Sequence, residues 1–159
     1  MTYGVRWAHS DEASSVADLL SAFHREFDAP TPEHAVLTDR VTQLLRQDTT
    51  WALVAGKPAC ALALVTVRTN VWHPGGVALL DELYVAPDRR GQGIGSAMMT
   101  ELARRVRAEG IGLLEVNVDE PDVDAIRFYE RHCFLASEPG SSDRAFYLWQ
   151  EFCAGRMRP

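Results

Sequence analysis

Apolar and polar positions alternate along this chain so as to predict short strands separated by amphipathic helices. Residues 3–8 read as a strand. Ser10 precedes a helix with Asp11 and Glu12 in its first turn and Val16, Leu19, Leu20 and Phe23 on its inner face. Thr31-Pro32 opens a second helix, because proline at the first helical position gives up no needed N–H; Leu37, Val41, Leu44 and Leu45 face inward. Residues 51–55 and 58–68 read as strands joined by a two-residue hairpin turn, Gly56-Lys57. After a loop at 70–76, residues 77–85 form another strand that breaks at Pro87. Ile94, Met98, Leu102 and Val106 then recur every fourth residue, as on one face of a helix that Gly110 stops. Residues 113–118 make a strand, Asp122 caps a short helix to His132, and two last strands fall near 134–136 and 145–152. No repeat or long linker interrupts this order, so a single domain is expected over residues 1–155, with a short tail at 156–159.

Composition fits one small globular domain: 159 residues, 47% hydrophobic and 24% charged. No apolar run is long enough to span a bilayer, and the first seven residues lack the apolar core of a signal peptide. Cys60, Cys133 and Cys153 are odd in number and far apart, which indicates neither a disulfide framework nor a zinc site and points to a reducing cytoplasm. The five histidines show no metal-ligand spacing and read as surface or capping residues, so no metal is expected. A formal net charge of −6 argues against nucleic acid as partner and favours cationic small molecules, and without a long apolar run no membrane partner is expected.

The densest chemistry lies in Arg89-Arg90-Gly91-Gln92-Gly93-Ile94-Gly95-Ser96, between the 77–85 strand and the helix that follows. Closely spaced glycines at a strand-to-helix turn let backbone N–H groups converge, and the helix N-terminus adds partial positive charge, so the turn suits a phosphate. A P-loop would need Lys-Ser/Thr after the last glycine, which is absent here. A dinucleotide fingerprint is imitated only in part, with Ser96 where its third glycine belongs and Glu115 where a ribose-binding acid would fall.

The pattern Arg90-x-x-Gly93-x-Gly95, with Leu83-Tyr84-Val85-Ala86-Pro87 upstream and Ala125-Ile126-Arg127-Phe128-Tyr129-Glu130-Arg131 and Phe134 downstream, resembles the GNAT superfamily of acetyl-CoA-dependent N-acetyltransferases. The resemblance implies an α/β (mixed α+β) fold, a central twisted mixed sheet of about seven strands flanked by four helices. It implies acetyl-CoA as cosubstrate, its diphosphate held by Arg90, Gly91, Gln92, Gly93, Ile94, Gly95 and Ser96. Backbone groups of Leu83, Tyr84 and Val85 would polarise the thioester carbonyl and pair with the pantetheine arm. Tyr129 would return a proton to the departing CoA sulfur. No cysteine matches an acyl carrier, so direct transfer in a ternary complex is implied. Two positions depart from the family pattern. Asp122 stands where many relatives have Asn; it can cap a helix and accept from a pantetheine amide but cannot donate. Cys133-Phe134 replaces Gly-Phe, so a non-glycine must tolerate that turn's backbone angles.

Acetyl transfer to an alkyl amine also needs a base. With a pKa of ~10.4 the amine is protonated at neutral pH, and losing the proton costs about 4–5 kcal/mol. Asp81 and Glu82 interrupt the apolar 77–85 strand. Strict alternation puts them on opposite faces, Glu82 with Leu80 and Tyr84, Asp81 with Leu79 and Leu83. Family members often carry an acid on this strand near the substrate amine, so Glu82 is the first choice for base or amine binder. Glu115 is second, because its alignment depends on the length of the 119–124 loop; the other alignment puts Asn117 there, an amide that cannot act as a base.

Asp119, Glu120, Asp122 and Asp124, with Glu26 and Asp28, suggest an acidic rim that would favour a small polycation, although a solvated acidic loop explains the same run. The 119–125 loop and Arg25-Glu26-Phe27 are similar to aminoglycoside 3-N-acetyltransferases. The expected acceptor is a small primary amine, aminoglycoside- or polyamine-like. The alternatives are acetylation of a protein N-terminus or lysine, and a CoA-binding sensor without turnover. Related enzymes are frequently dimers, which leaves a homodimer open.

Overall fold

Among residues 3–151, the part of the chain that the computed structural model describes, there are five strands and four α-helices. They divide between two units, residues 1–116 and 117–159. The first holds β1 (Val5–Ala8), α1 (Ala13–Glu26), α2 (His34–Leu45), β2 (Thr50–Ala55), β3 (Ala61–Arg68), β4 (Val77–Val85), α3 (Ile94–Ala108) and β5 (Leu113–Val116). The strands lie in chain order; every pairing is antiparallel except β4 with β5, which is parallel.

Helices cover both faces of this sheet, which explains why β2 is buried along its whole length. One face carries Ala52, Val54, Leu62 and Tyr84 against Val16, Leu19 and Leu20 of α1 and Val41 of α2. Leu53, Ala63 and Val65 alternate to the other face, the side of α3, whose Ile94, Met98, Leu102 and Val106 are buried as their four-residue spacing predicts. Each leucine so buried contributes about 1.5–3 kcal/mol. At the β1 end of that face the Arg105 guanidinium of α3 lies 4.4 Å from the Trp7 ring and 4.1 Å from the Trp51 ring.

Local signals set most boundaries. Gly110, at φ +69°, stops α3 as expected: it donates to Arg107 O and Ile111 to Val106 O, the Schellman pattern. Asp28 does the same after α1 at φ +51°. Other expectations need correction. Residues 10–12 form a separate 3-10 turn ahead of α1, and α2 starts at His34, two residues beyond Pro32. The β2–β3 connection is residues 56–60, longer than a two-residue turn, with a cis Lys57–Pro58 bond.

The second unit holds α4 (Val123–Arg131). The sheet has five strands, not about seven. Phe134 is consumed in the turn that ends α4, where Cys133 donates to Glu130 O and Phe134 to Tyr129 O. Residues 145–151 form no strand, and only an isolated bridge, Ser137↔Arg144, marks this region. A strand needs a neighbour for its N–H and C=O groups; here Phe146, Tyr147, Leu148 and Trp149 are each at least 70% exposed. Phe152, Cys153 and the 156–159 tail lie outside the described residues.

Candidate active site

The site begins with a register shift. Leu64 of β3 pairs with Glu82, but the next residue, Val65, pairs with Leu80, so Asp81 is the extra residue of a β-bulge. A bulge breaks strict alternation. The expectation that Asp81 and Glu82 point to opposite faces is therefore corrected: both line one cavity of ≈ 370 Å³ on the α1–α2 side of the sheet. Leu20, Leu37, Val41, Leu44 and Leu64 form its apolar wall, and His24, Arg40, Thr50 and Thr66 its polar positions beside the two acids.

Thr66 Oγ1 donates to Asp81 Oδ2 at 2.6 Å. Partial burial nevertheless raises the Asp81 pKa, with the Thr66 bond opposing it. Glu82 is half-buried, and its pKa is raised chiefly by lost hydration; His24 pulls it down and the Asp81 charge pushes it up. A carboxylate held above its usual range is suited to take a proton near neutral pH. His24 is fixed by contact of its Nδ1 with Pro30 O at 3.1 Å. Glu115 is placed differently: it sits opposite Leu79 on β5, accepts from Arg68 Nη2 at 3.0 Å, and is not part of the cavity lining.

Parallel pairing of β4 with β5 stops at Leu80↔Val116, while β4 runs on to Val85. Ala86 N–H donates to Cys60 O at 2.9 Å, toward β3. By alternation Tyr84 also turns its backbone to β3, whereas Leu83 and Val85 present theirs at the edge β5 has left open. The Tyr84 ring packs in the core, 5.6 Å from Phe23. Arg90 Nε donates to Val85 O at 2.9 Å and its Nη2 to Glu26 at 2.7 Å, which ties the end of α1 to the glycine turn and lowers the Glu26 pKa.

Gly91 (φ +72°) and Gly93 (φ +78°) adopt the left-handed conformation that glycine allows, and Gly93 begins α3 with no side chain capping it. The first intrahelical bond runs from Ala97 N–H to Gly93 O, so the N–H groups of Ile94 and Gly95 precede the helical ladder. An added Cβ at Gly91 or Gly93 would enter open space, with nothing within 4 Å. The turn thus fits a diphosphate such as that of acetyl-CoA: the N–H groups of Ile94 and Gly95 stand ahead of the helical ladder, helix charge is favourable, and the glycines leave the approach clear. Ser96 is exposed at this end of α3, Ile94 is buried beneath it, and Gln92 donates to Asp88 O at 3.2 Å and accepts from Tyr3.

In the second unit Asp122 caps α4, its Oδ1 accepting from Ala125 N–H at 3.0 Å. Tyr129 is buried, with its ring edge-on to Phe128 at 5.3 Å and Phe134 at 5.4 Å. Cys133 adopts φ +66°, the conformation a glycine would take at lower cost. Sequence reasoning missed Arg40 and Thr66 and read His24 as a surface residue. The only available signal was helical and strand phase: Arg40 follows Leu37 by three and precedes Leu44 by four, and Thr66 follows Leu64 by two. Among the described residues no group of His, Cys, Asp or Glu could hold a metal ion, and no helix is long and apolar enough to cross a membrane.

Comparison with known proteins agrees with this geometry. A solved structure from Arthrobacter sp. FB24, provisionally described as an acetyltransferase, is 43% identical, with TM-score 0.89 over 95% of this chain and 97% of that one. The aminoglycoside acetyltransferase meta-AAC0020, from an uncultured soil metagenomic sample, shares the fold at 17% identity, TM-score 0.78, over 94% and 96% of the two chains. The ribosomal-protein-alanine N-acetyltransferase of Brucella melitensis biovar Abortus 2308 shares it at 19% identity, TM-score 0.73, over 94% and 100%. No curated protein matches the sequence. Residues 14–134 match the model of the acetyltransferase (GNAT) family. With the glycine turn, the parting of β4 from β5 and the bulge that carries two acids, the chain belongs to the acetyltransferase (GNAT) family.

Proposed function

We propose that the protein transfers the acetyl group of acetyl-CoA to the primary amine of a small molecule seated in the cavity, with Glu82 as base. The observation that carries this reading is the Asp81 bulge, which brings two carboxylates to the lining of one cavity, with Glu82 directly before Leu83 in β4. Acetyl-CoA supplies the activated thioester when bound. The backbone N–H groups at the 91–96 turn hold its diphosphate, with Arg90 fixing the turn through Glu26 and Val85 O. Main-chain groups of Leu83 and Val85 at the open edge orient the pantetheine arm and polarise the thioester carbonyl; one such donor is typically worth about 3–4 kcal/mol. Asp81 attracts the ammonium, and Glu82 accepts its proton, directly or through a water, so that the free amine attacks. Tyr129 keeps the role implied by the sequence resemblance, proton donor to the departing sulfur, and Asp122 that of acceptor for a pantetheine amide. Glu115 ranks second as base, since Arg68 neutralises it outside the cavity.

The two acids favour a small cationic acceptor of aminoglycoside or polyamine type. A cavity of ≈ 370 Å³ favours a small molecule over a protein N-terminus or lysine. A CoA-release assay over aminoglycosides, polyamines, amino acids and peptides tests the reading, alongside thermal melting with acetyl-CoA. Protection by acetyl-CoA with turnover of a small amine supports it. Protection without turnover of any amine points to a sensor, and turnover of peptides alone to a protein-directed enzyme. Absence of protection at saturating acetyl-CoA removes the cofactor assignment itself.

A further inference from the structure

The cavity carries one charge that the proposed transfer does not use. Arg40, on α2, lines the same space as Asp81 and Glu82, yet no ion pair or hydrogen bond engages its guanidinium among the described residues. Nor does Arg40 neutralise the acids: the charges acting on Glu82 are His24 and Asp81. The lining thus presents acids on the sheet side, a cation on the helix side, and leucine and valine surface. A polyamine long enough to fill it would bring a second ammonium toward Arg40 or strand it on the apolar wall, and both are unfavourable. A purely apolar amine would make no use of the guanidinium, which is exposed where it lines the cavity. An occupant that engages both the acids and Arg40 has an ammonium, an apolar body and an anionic group, and a guanidinium is matched best by a carboxylate, which it can bind with two N–H donors.

We propose that the acceptor is an amine that also bears a carboxylate, an apolar compound of amino-acid type, and that Arg40 is the specificity residue that binds the carboxylate. This rests on the acetyl-transfer reading above, keeps its small amine acceptor, and puts an amino-acid type in place of the polycationic type.

The test measures acetyl-CoA consumption with matched pairs: leucine against isoamylamine, and 6-aminohexanoate against hexylamine, with spermidine and an aminoglycoside as polycations. Wild-type protein is compared with Arg40→Gln and Arg40→Lys, each first shown by thermal melting to be folded and protected by acetyl-CoA. The expected result is a preference of about tenfold or more in kcat/KM for the carboxylate-bearing member of at least one pair. Arg40→Gln erases that preference mainly through KM, and Arg40→Lys keeps part of it. A wild-type preference for the carboxylate-free amines or the polycations overturns this inference alone and leaves acetyl transfer standing. So does a preference that survives in Arg40→Gln. If acetyl-CoA protects the protein but no amine is consumed, the acetyl-transfer reading falls and this inference falls with it.

Discussion

Thr66 Oγ1 donates to the carboxylate of Asp81 at 2.6 Å, across the point where β3 and β4 lose register. The bond gives the inserted residue of the bulge a fixed partner and favours its ionised form. It thereby maintains a negative charge next to Glu82, which pushes the Glu82 pKa up and opposes the pull of His24. Three residues are thus linked in series, the Thr66 hydroxyl, the Asp81 charge and Glu82, the proposed base.

Asp81→Asn breaks that series at its middle member. The charge that pushes Glu82 up is removed, so Glu82 loses its proton at lower pH. The acidic limb of the kcat/KM profile is expected to move to lower pH, while KM for the amine rises because its cationic head loses one attractive partner. A pH–rate profile of the free enzyme makes the comparison. A limb that stays in place would mean that Asp81 does not sense the catalytic proton.

Glu82→Gln is expected to cost about 10²–10⁴ in turnover at neutral pH, the usual contribution of a general base. The loss shrinks toward high pH, where the free amine is abundant without help; a loss uniform across pH would assign Glu82 to positioning. The same substitution affects stability with the opposite sign. The folded-state pKa of Glu82 is raised, so the folded chain holds a proton that the unfolded chain has released, and stability falls as pH rises through that window. Glu82→Gln should therefore melt above wild type at neutral pH, with the gap closing below the ordinary carboxylate range. Calorimetry at both pH values reads this directly.

What could be read from the sequence and what could not divides along a physical line. The glycine turn and the stop at Gly110 were legible because their requirement is local: a positive φ at an identifiable residue. The inner face of α3 was legible because helical phase is a property of one segment. The placement of Asp81 was not, because alternation counts residues along one strand, whereas the bulge is a mismatch between Leu64–Val65 of β3 and Leu80–Glu82 of β4. His24, Arg40 and Thr66 sit on three different elements as ordinary polar positions, and only the packing of α1 and α2 over the sheet brings them to one cavity. The two strands expected last failed for a similar reason, since an apolar run makes a strand only where another strand pairs with it.

Gly93→Ala separates backbone cost from cofactor contact. At φ +78°, with nothing within 4 Å of the added Cβ, the substitution should cost about 1–2 kcal/mol through conformation alone. Gly110→Ala is the matched control, at φ +69° with equally open surroundings at the far end of α3. Both variants should lose similar melting temperature without ligand, but only Gly93→Ala should lose the acetyl-CoA-induced rise, because its methyl occupies the approach to the N–H groups. Equal rises in the two variants would place the diphosphate elsewhere.

Cys133 offers a stabilising change in the second unit. The turn after α4 is a Schellman motif, with Cys133 N–H on Glu130 O at 3.0 Å, Phe134 N–H on Tyr129 O at 3.1 Å, and the Tyr129 and Phe134 rings 5.4 Å apart. Its left-handed position, φ +66°, is held by an exposed cysteine. A non-glycine there costs about 1–2 kcal/mol, part of which glycine returns through the greater freedom of its unfolded chain. Cys133→Gly is therefore expected to gain about 0.5 kcal/mol net in urea unfolding, with the native fold retained. Cys133→Ala keeps the Cβ and the strain, so it should gain nothing. Equal stabilisation by alanine and glycine would trace the effect to the thiol and remove the backbone from the explanation.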